Sequence, residues 1–224
     1  MEKKHIAIAI DGPVAAGKTT QAKLLAKELG FLYVDTGALY RTVACYMQIH
    51  QKADNDIAEV LNCIDIYMER GKDGEQRMFL GQKEVTGQLR TPEISKLASD
   101  ISAVPAVREF LLETQRRAAR ENNIVMEGRD IGTVILPDAQ VKVFLTADQD
   151  VRTCRRWLEL KRKGAHVVFD EVRADLIERD YNDSHRETAP LKQADDALLL
   201  DCTDLSVRET TQALLEIVRE IAGR

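Results

Sequence analysis

The sequence predicts an α/β fold with a parallel sheet, and three observations support that prediction. Apolar, β-branched segments alternate with amphipathic helical segments, which is typical of a parallel sheet covered by helices on both faces. A glycine-rich loop, residues 11–17, joins the first predicted strand to the first predicted helix. The longest apolar runs, Ile6–Ile10 and Val43–Met47, have five residues each. They are far shorter than the roughly 20 residues that span a bilayer.

The composition limits the functions that are possible. Of 224 residues, 44% are hydrophobic and 31% are charged, which favours one main packed core over disorder. The net charge of −5 disfavours a general nucleic-acid-binding surface. The four cysteines form no CxxC pair and the four histidines no HExxH motif, so neither a zinc site nor a disulfide framework is indicated.

The sequence also predicts the cellular location of the protein and the kinds of partner that it lacks. Residues 1–4 lead directly into the first apolar run without a small-residue cleavage site, which argues against a secretory signal. We therefore expect a cytoplasmic protein with no nucleic-acid partner and no membrane partner, and we expect a monomer. In a reducing cytosol, each cysteine is expected to be a small buried or half-buried apolar residue.

The order of elements follows from apolar patterns and helix-ending residues. The first strand, His5–Ile10, is expected at the centre of the sheet because it is nearly continuously apolar. Gly30 is expected to end the first helix. Further strands are predicted at 31–34, 124–126, 141–145 and 197–200. Helices are predicted at 18–29, 37–51, from Pro92, at 105–121, at 150–164 with Asp150 as its cap, at 170–183, and at the carboxyl end.

An inserted α+β lobe is predicted at about residues 54–95, where the alternation changes. We expect a helix from Asp54 through Tyr67 and a turn at residues 71–74. Strand-like residues 77–86 follow, with Gly81 in a turn position.

A phosphate-binding loop is predicted at residues 12–19, which match GxxxxGK[ST] between a strand and a helix. Backbone amides of the loop and the helix N-terminus favour a bound phosphate. Lys18 is expected to reach the β- and γ-phosphates, and the Thr19 hydroxyl to bind Mg²⁺. The ATP-binding set is Gly12, Pro13, Val14, Ala15, Ala16, Gly17, Lys18, Thr19 and Thr20.

A loop of this kind does not identify the reaction, because switches, ATPases and small-molecule kinases share it. A guanine-reading NKxD string is missing from the sequence, which weakens the GTPase alternative. A kinase acting on another small acceptor and a nucleotide-dependent regulatory protein remain open on the loop alone.

A second anion site is predicted where Asp35–Arg41 opens the helix after the second strand. Thr36 and Arg41 can face an anion near that helix N-terminus. Tyr40 lies in the same motif and is included with the acceptor-binding residues, although packing also suits an aromatic residue here.

Two further strings complete a family resemblance. Together with the two motifs above, Glu127–Gly132 and Glu178–Leu191 closely resemble bacterial cytidylate kinases, and the resemblance runs nearly end to end. The insert at 54–95 also resembles the enlarged nucleotide-binding lobe of the bacterial enzymes.

The resemblance implies a P-loop kinase core with a five-stranded parallel sheet, a monophosphate-binding lobe and a small helical lid. It assigns residues 1–35, 96–150 and 187–224 to the core, 36–95 to the lobe, and 151–186 to the lid and following helix. The implied reaction is phosphoryl transfer from ATP to CMP or dCMP.

The resemblance also implies roles for individual residues. Thr36, Arg41 and Arg129 would hold the acceptor phosphate. Arg179, Asp183 and Arg186 would lie near its phosphate and sugar. The base would be bound by Ser99, Arg108 and Asp130.

Cytosine chemistry agrees with that base site. Cytosine offers an amino donor at N4 and acceptors at N3 and O2, which a carboxylate and an arginine complement. Uracil reverses the pattern at N3 and position four, so UMP would leave buried groups unpaired. Specificity for cytosine is therefore expected.

Charge neutralisation during transfer is expected to come from Lys18, Arg129 and the lid. Arg155 and Arg156, on a basic helix, are the lid candidates, although a basic helix is often only a solvated face. Glu127 is expected to act on Mg²⁺ through water. Asp11 is as well suited to orienting the loop as to binding metal, and is given no catalytic role.

Overall fold

The fold was established from a computed structural model that describes residues 5–53, 56–71 and 74–223. Three predicted features therefore lie outside the described residues: the segment 1–4, the helix start at Asp54, and the centre of the turn at Lys72 and Asp73.

Strands and helices alternate along the described chain. The strands are β1 (Ala7–Asp11), β2 (Leu32–Asp35), β3 (Ile66–Arg70), β4 (Gln76–Leu80), β5 (Lys83–Glu84), β6 (Ile124–Gly128), β7 (Val141–Thr146) and β8 (Leu198–Asp201). The α-helices are α1 (Lys18–Leu29), α2 (Thr36–Ile49), α3 (Ile57–Cys63), α4 (Pro92–Ile101), α5 (Pro105–Glu121), α6 (Gln149–Arg162), α7 (Phe169–His185) and α8 (Val207–Ala222). None of the helices in the described segments is long and apolar enough to cross a membrane.

The main sheet contains five parallel strands in the order β2-β6-β1-β7-β8, which confirms the predicted fold class. β1 lies at the centre, and every residue of β1 and β6 is buried. The register places Glu127 opposite Ile10 of β1 and opposite Asp35 of β2. The ends of three neighbouring strands therefore meet around Glu127.

Two apolar clusters cover the faces of this sheet. Ile8 packs with Leu25 of α1 and Leu214 of α8 on one face. Ala9, the next residue of β1, packs with Met126 on the other face. Neighbouring residues of a strand point to opposite faces, so a double-sided core is what a continuous apolar run predicts.

The insert contains a strand where the sequence predicts a helix. Residues 66–70 form β3, so the prediction of a helix through Tyr67 is wrong, and α3 ends at Cys63. Tyr67 lies opposite Phe79 of β4, and the two rings stack with 4.7 Å between their centroids. Cross-strand aromatic pairing outweighs the local helical pattern. The hairpin to β5 turns at Gly81, as predicted.

A third apolar cluster joins the insert to the core. Met47 of α2 packs with Met78 of β4, Ile101 of α4 and Leu111 of α5. At the edge of this cluster, the side-chain amide of Gln76 pairs with the backbone of Asp35. Its oxygen accepts from the Asp35 amide at 2.7 Å, and its nitrogen donates to the Asp35 carbonyl at 3.4 Å.

Helix α6 begins at Gln149, one residue earlier than predicted. Its N-cap is Asp148 and not Asp150. One Asp148 carboxylate oxygen accepts from the amides of Asp150 at 2.8 Å and Val151 at 3.3 Å. Asp150 lies in the first turn, where its charge favours the helix dipole. Helix α7 packs against α6.

The cysteines are all free. Cys45 and Cys202 are buried, as expected. Cys63 and Cys154 are exposed, so the expectation of burial is wrong for these two, which lie on the solvent-facing sides of α3 and α6.

We predict that Gly12→Ala strongly destabilises the protein. Gly12 has a φ of +149°, and a Cβ atom there would lie 2.0 Å from the carbonyl oxygen of Leu145. The free energy of unfolding, measured by urea denaturation, is expected to fall by about 3 kcal/mol or more. Gly30→Ala is the control, because Gly30 also has a positive φ but open space around it, and should lose only about 1–2 kcal/mol. Equal losses would contradict this explanation.

Candidate functional site

A cleft of about 830 Å³ opens where the strands of the main sheet end. Asp35 at the end of β2 and Glu127 at the end of β6 both line it. Its other walls come from the loop before α1, from α4 to α7, and from the segment after β8. Ligands of open parallel α/β sheets bind outside the carboxyl ends of the strands, so this position is typical of a binding site.

The predicted phosphate loop forms one end of the cleft. Residues 14–20 line it, whereas Gly12 and Pro13 are not among its described lining residues. Gly17 adopts a φ of +98° immediately before α1, so the free amides at the start of this helix lie at the cleft. Unpaired amides and the helix dipole together favour an anion at this end.

Lys18 is buried at the base of the loop, and its ammonium group donates to the Pro13 carbonyl at 2.6 Å. Burial, together with the charge of Arg129, lowers the pKa of Lys18 to about 7. Above pH 7 such a lysine is mostly neutral, and negative groups that come close raise its pKa and favour its charged form. The residue is therefore poised to respond to phosphate.

Asp11, at the end of β1, holds the turn that follows β6. Its two carboxylate oxygens accept from the amides of Ile131 and Gly132, each at 2.8 Å. Burial raises the pKa of Asp11 to about 6. Its hydrogen bonds hold the π-helical turn Ile131–Ile135, which follows β6, and not the phosphate loop that the sequence suggested.

Glu127 and Thr19 are the residues that could hold a metal ion. Both line the cleft, and Thr19 makes a side-chain hydrogen bond to the Glu127 carboxylate. Tyr33 donates its hydroxyl to the same carboxylate at 2.7 Å. Burial, with Asp35 nearby, raises the pKa of Glu127 above its ordinary value. Mg²⁺ prefers oxygen ligands and is bound through few protein groups when phosphates are present, so this pair fits it.

A cluster of arginines lies beyond Glu127, at the start of α2. Arg41 donates to one Asp35 oxygen at 2.6 Å, and Arg90 reaches the same oxygen at 3.4 Å. Asp35 also caps α2 by accepting from the Ala38 amide at 3.1 Å. Thr36 lies beside it and donates its hydroxyl to the Glu127 carbonyl at 2.8 Å.

Arg129 and Arg179 complete this cluster from the other side. Arg129 donates to Asp183 at 2.7 Å. Although burial alone would raise it, the pKa of Asp183 lies below its ordinary value because Arg129 is so close. The Nε atoms of Arg179 and Arg41 are buried and have no hydrogen-bond partner in the part of the chain that the structure describes. Buried donors without partners are unfavourable, so they indicate a place for an anionic ligand.

The predicted base-binding residues meet in a separate corner of the cleft. Arg108 forms a buried ion pair with Asp130, and Arg186 reaches the other Asp130 oxygen at 3.4 Å. Arg108 also donates to the Ser102 carbonyl at 3.1 Å and lies 5.8 Å from the centre of the Tyr40 ring. Ser99 and Tyr40 line the same cleft. Arg108 is therefore a buried residue of the site and not a surface charge.

The two predicted lid arginines line the cleft but contact protein groups. Arg155 donates to the Cys202 carbonyl at 2.8 Å, and Arg156 pairs with Glu159 at 2.9 Å. Several residues of the segment 202–210, which begins at Cys202, line the cleft beside the phosphate loop.

Sequence reasoning missed several residues of the site. Arg90 precedes α4 and belongs to none of the motifs. Tyr33 looked like a core residue of β2, and only its hydroxyl contact with Glu127 distinguishes it. The segment 202–210 follows the last strand, and the general rule that ligands bind where parallel strands end could have found it.

Comparisons with known proteins agree with this geometry. The family model of cytidylate kinase matches residues 8–220. The cytidylate kinase of Caldicellulosiruptor bescii is 44% identical over 221 residues and covers 97% of each chain. That of Thermosipho melanesiensis is 46% identical over 214 residues, 95% of this chain and 96% of its own. A crystal structure of a protein from Eubacterium ventriosum is similar in fold, with a TM-score of 0.54, 17% identity and coverage of 99% and 100%.

We predict that nucleoside triphosphate binding at pH 8 takes up nearly one proton. With a pKa of about 7, Lys18 is mostly neutral in the free protein at pH 8, and phosphate charge raises that pKa. Calorimetric titrations with Mg·ATP in buffers of different ionisation enthalpy measure the number of protons taken up. Lys18→Met should abolish the uptake. A parent protein that binds without taking up protons would show that Lys18 is already charged.

Proposed function

The chain belongs to the cytidylate kinase family, and we propose that it transfers the γ-phosphoryl group of ATP to CMP or dCMP, giving ADP and CDP or dCDP. One observation supports this most strongly. The phosphate loop lines the same cleft as Arg41 and Arg179, two half-buried arginines whose buried Nε donors have no partner among the described residues. Such a cleft suits two phosphorylated ligands held close together.

The phosphate loop is the proposed donor site. Loop residues 12–20 would hold the ATP phosphates, with Lys18 near the β- and γ-phosphates. Gly12 and Pro13 would contribute by shaping the loop. The neighbouring wall, residues 202–210, lies where the donor base and sugar would extend. Mg²⁺, bound through Thr19 and through water to Glu127, would neutralise phosphate charge.

The arginine cluster is the proposed acceptor-phosphate site. Thr36, Arg41 and Arg129 would hold the phosphate together with Arg179, whose free Nε donor lies in the cleft wall. Arg90 and Arg41 contact the same oxygen of Asp35. Arg90 would therefore remain as the ion-pair partner of this carboxylate when Arg41 turns toward the phosphate. Asp183 and Arg186 would contact the sugar.

The base is proposed to lie against Asp130. In the free protein Asp130 is paired with Arg108 and Arg186, so its charge is compensated before any ligand binds. Cytosine would donate its N4 amino group to Asp130 and accept at N3 and O2 from Arg108, with Ser99 beside them. Tyr40 would support the guanidinium of Arg108 from its ring face.

The transfer itself needs no general base. An oxygen of the acceptor phosphate is already an anionic nucleophile, and it attacks the γ-phosphorus in line with the leaving oxygen. The bond between the γ-phosphorus and the oxygen that bridges to the β-phosphate breaks, so ADP leaves. Lys18 and Arg129 stabilise the charge that spreads over the transferred group. Aligning the two phosphates would contribute to the rate enhancement together with this charge stabilisation.

Residues 151–186 contain the proposed lid and the helix that follows it. Arg155 and Arg156 would leave the Cys202 carbonyl and Glu159 as the lid closes and turn toward the transferred group. Closure would exclude water and so suppress hydrolysis of ATP. The core, residues 1–35, 96–150 and 187–224, and the lobe, residues 36–95, would close around the two nucleotides. We propose that the protein works as a monomer in the cytoplasm.

The acceptor range tests this proposal. ADP formation from Mg·ATP is measured with CMP, dCMP, UMP, AMP and buffer alone at matched concentrations. We expect rapid turnover with CMP and dCMP only. Comparable rates with UMP or AMP would contradict the base site, whereas ATP binding without acceptor-dependent turnover would contradict the kinase activity.

We predict that Asp130→Asn narrows the ratio of kcat/KM between CMP and UMP by about tenfold or more. An amide can donate to O4 of uracil, which a carboxylate cannot, so the variant loses its discrimination. Asp183→Asn is the matched control. This variant also removes the carboxylate charge from an ion pair with an arginine, in this case Arg129. It should lower kcat/KM for both acceptors without changing their ratio. An unchanged ratio in Asp130→Asn would contradict the base site.

A further inference from the structure

Two charged residues of the lid helices hold a single residue of the phosphate loop. Asp180 of α7 accepts from the Val14 amide at 3.0 Å. Arg152 of α6 donates to the Val14 carbonyl at 3.0 Å, and it forms an ion pair with Asp180. Arg152 is also fixed to the core, because its Nε donates to the Ala147 carbonyl at 2.9 Å. Both backbone polar groups of Val14 are therefore bound by the same ion pair.

The ion pair lies behind the loop and not in the cleft. Val14 lines the cleft, but Asp180 and Arg152 are not among its lining residues. The Arg152 side chain is 10% exposed and that of Asp180 is 20% exposed. Because neither side chain lines the cleft, their hydrogen bonds to Val14 give them their contact with the donor site.

The residue after Val14 explains why this contact matters. Ala15 has a φ of +59°, in the left-handed region that residues with a Cβ atom rarely adopt. A strained conformation persists only where surrounding contacts enforce it. The carbonyl held by Arg152 belongs to the peptide unit that joins Val14 to Ala15.

We propose that Asp180 and Arg152 are positioning residues that hold the phosphate loop in its ATP-binding shape. The inference rests on the proposed donor role of this loop. Asp183, one turn further along α7, binds Arg129 of the acceptor site. Helix α7 thus contacts the donor loop through Asp180 and the acceptor cluster through a different residue, Asp183.

The test measures ATP and CMP affinity separately by calorimetry, together with kcat and thermal stability. Asp180→Ala is expected to weaken ATP binding at least tenfold while CMP binding stays within twofold. Asp180→Asn keeps an oxygen that can accept from the Val14 amide, and should lose less. The double variant with Asp180→Ala and Ala15→Gly should bind ATP at least threefold more tightly than Asp180→Ala alone, because glycine adopts a positive φ without strain.

Gln51→Gly is the matched control for this rescue. Gln51 also has a positive φ, +53°, but it lies after α2 and away from the loop. On the Asp180→Ala background it should restore no ATP affinity. Equal rescue by Gln51→Gly and Ala15→Gly would overturn the proposal, as would an equal loss of ATP and CMP affinity in Asp180→Ala. CMP binding by each variant verifies that it is folded.

Lys18→Ala separates this proposal from the function on which it rests. If Lys18→Ala binds ATP as tightly as the parent, the loop is not the donor site and the proposed function is wrong there. If Lys18→Ala loses ATP affinity but Asp180→Ala keeps the parent value, only the positioning role is overturned.

Discussion

Buried positive charge around one cleft is the constraint on which the rest of the site depends. A buried guanidinium without a partner is costly, so the free protein compensates its arginines with carboxylates. Asp35 binds Arg41, Asp183 binds Arg129, and Asp130 binds both Arg108 and Arg186, as the ion pairs show. The compensation is incomplete, and the donors left over are those that a phosphate can accept from. The same charges therefore pair with carboxylates in the free protein and, in the proposed function, would bind the phosphate of the ligand.

The parallel sheet brings these groups together. Asp35 and Glu127 end two neighbouring strands and lie opposite one another in the register, and Asp11 ends the central strand beside them. These three carboxylates each orient a different neighbour. Asp35 caps α2 and binds Arg41, Glu127 binds the Thr19 hydroxyl, and Asp11 holds the turn after Asp130. The loops that follow these strands then carry the lysine and the arginines into the same cleft.

Local sequence patterns predicted the sheet and the phosphate loop, because a buried strand and a GxxxxGKT string specify their own structure. Strand β3 could not be predicted in this way, since Tyr67 becomes part of a strand through its contact with Phe79. Long-range contacts also explain the missed site residues. Asp180 binds an amide 166 residues earlier in the chain, and no spacing in the sequence encodes that contact. The roles of Ser99 and Arg108 were predictable only from the family resemblance.

The most direct test of the central claim compares the affinities of CMP and cytidine for the free protein. If buried arginines with unpaired donors bind the acceptor phosphate, removing that phosphate should weaken binding by about a hundredfold or more. The difference should shrink in Arg41→Met and Arg179→Met, which remove the two unpaired donors. Cytidine binding within about fivefold of CMP would contradict the claim, because the base corner alone would then hold the acceptor.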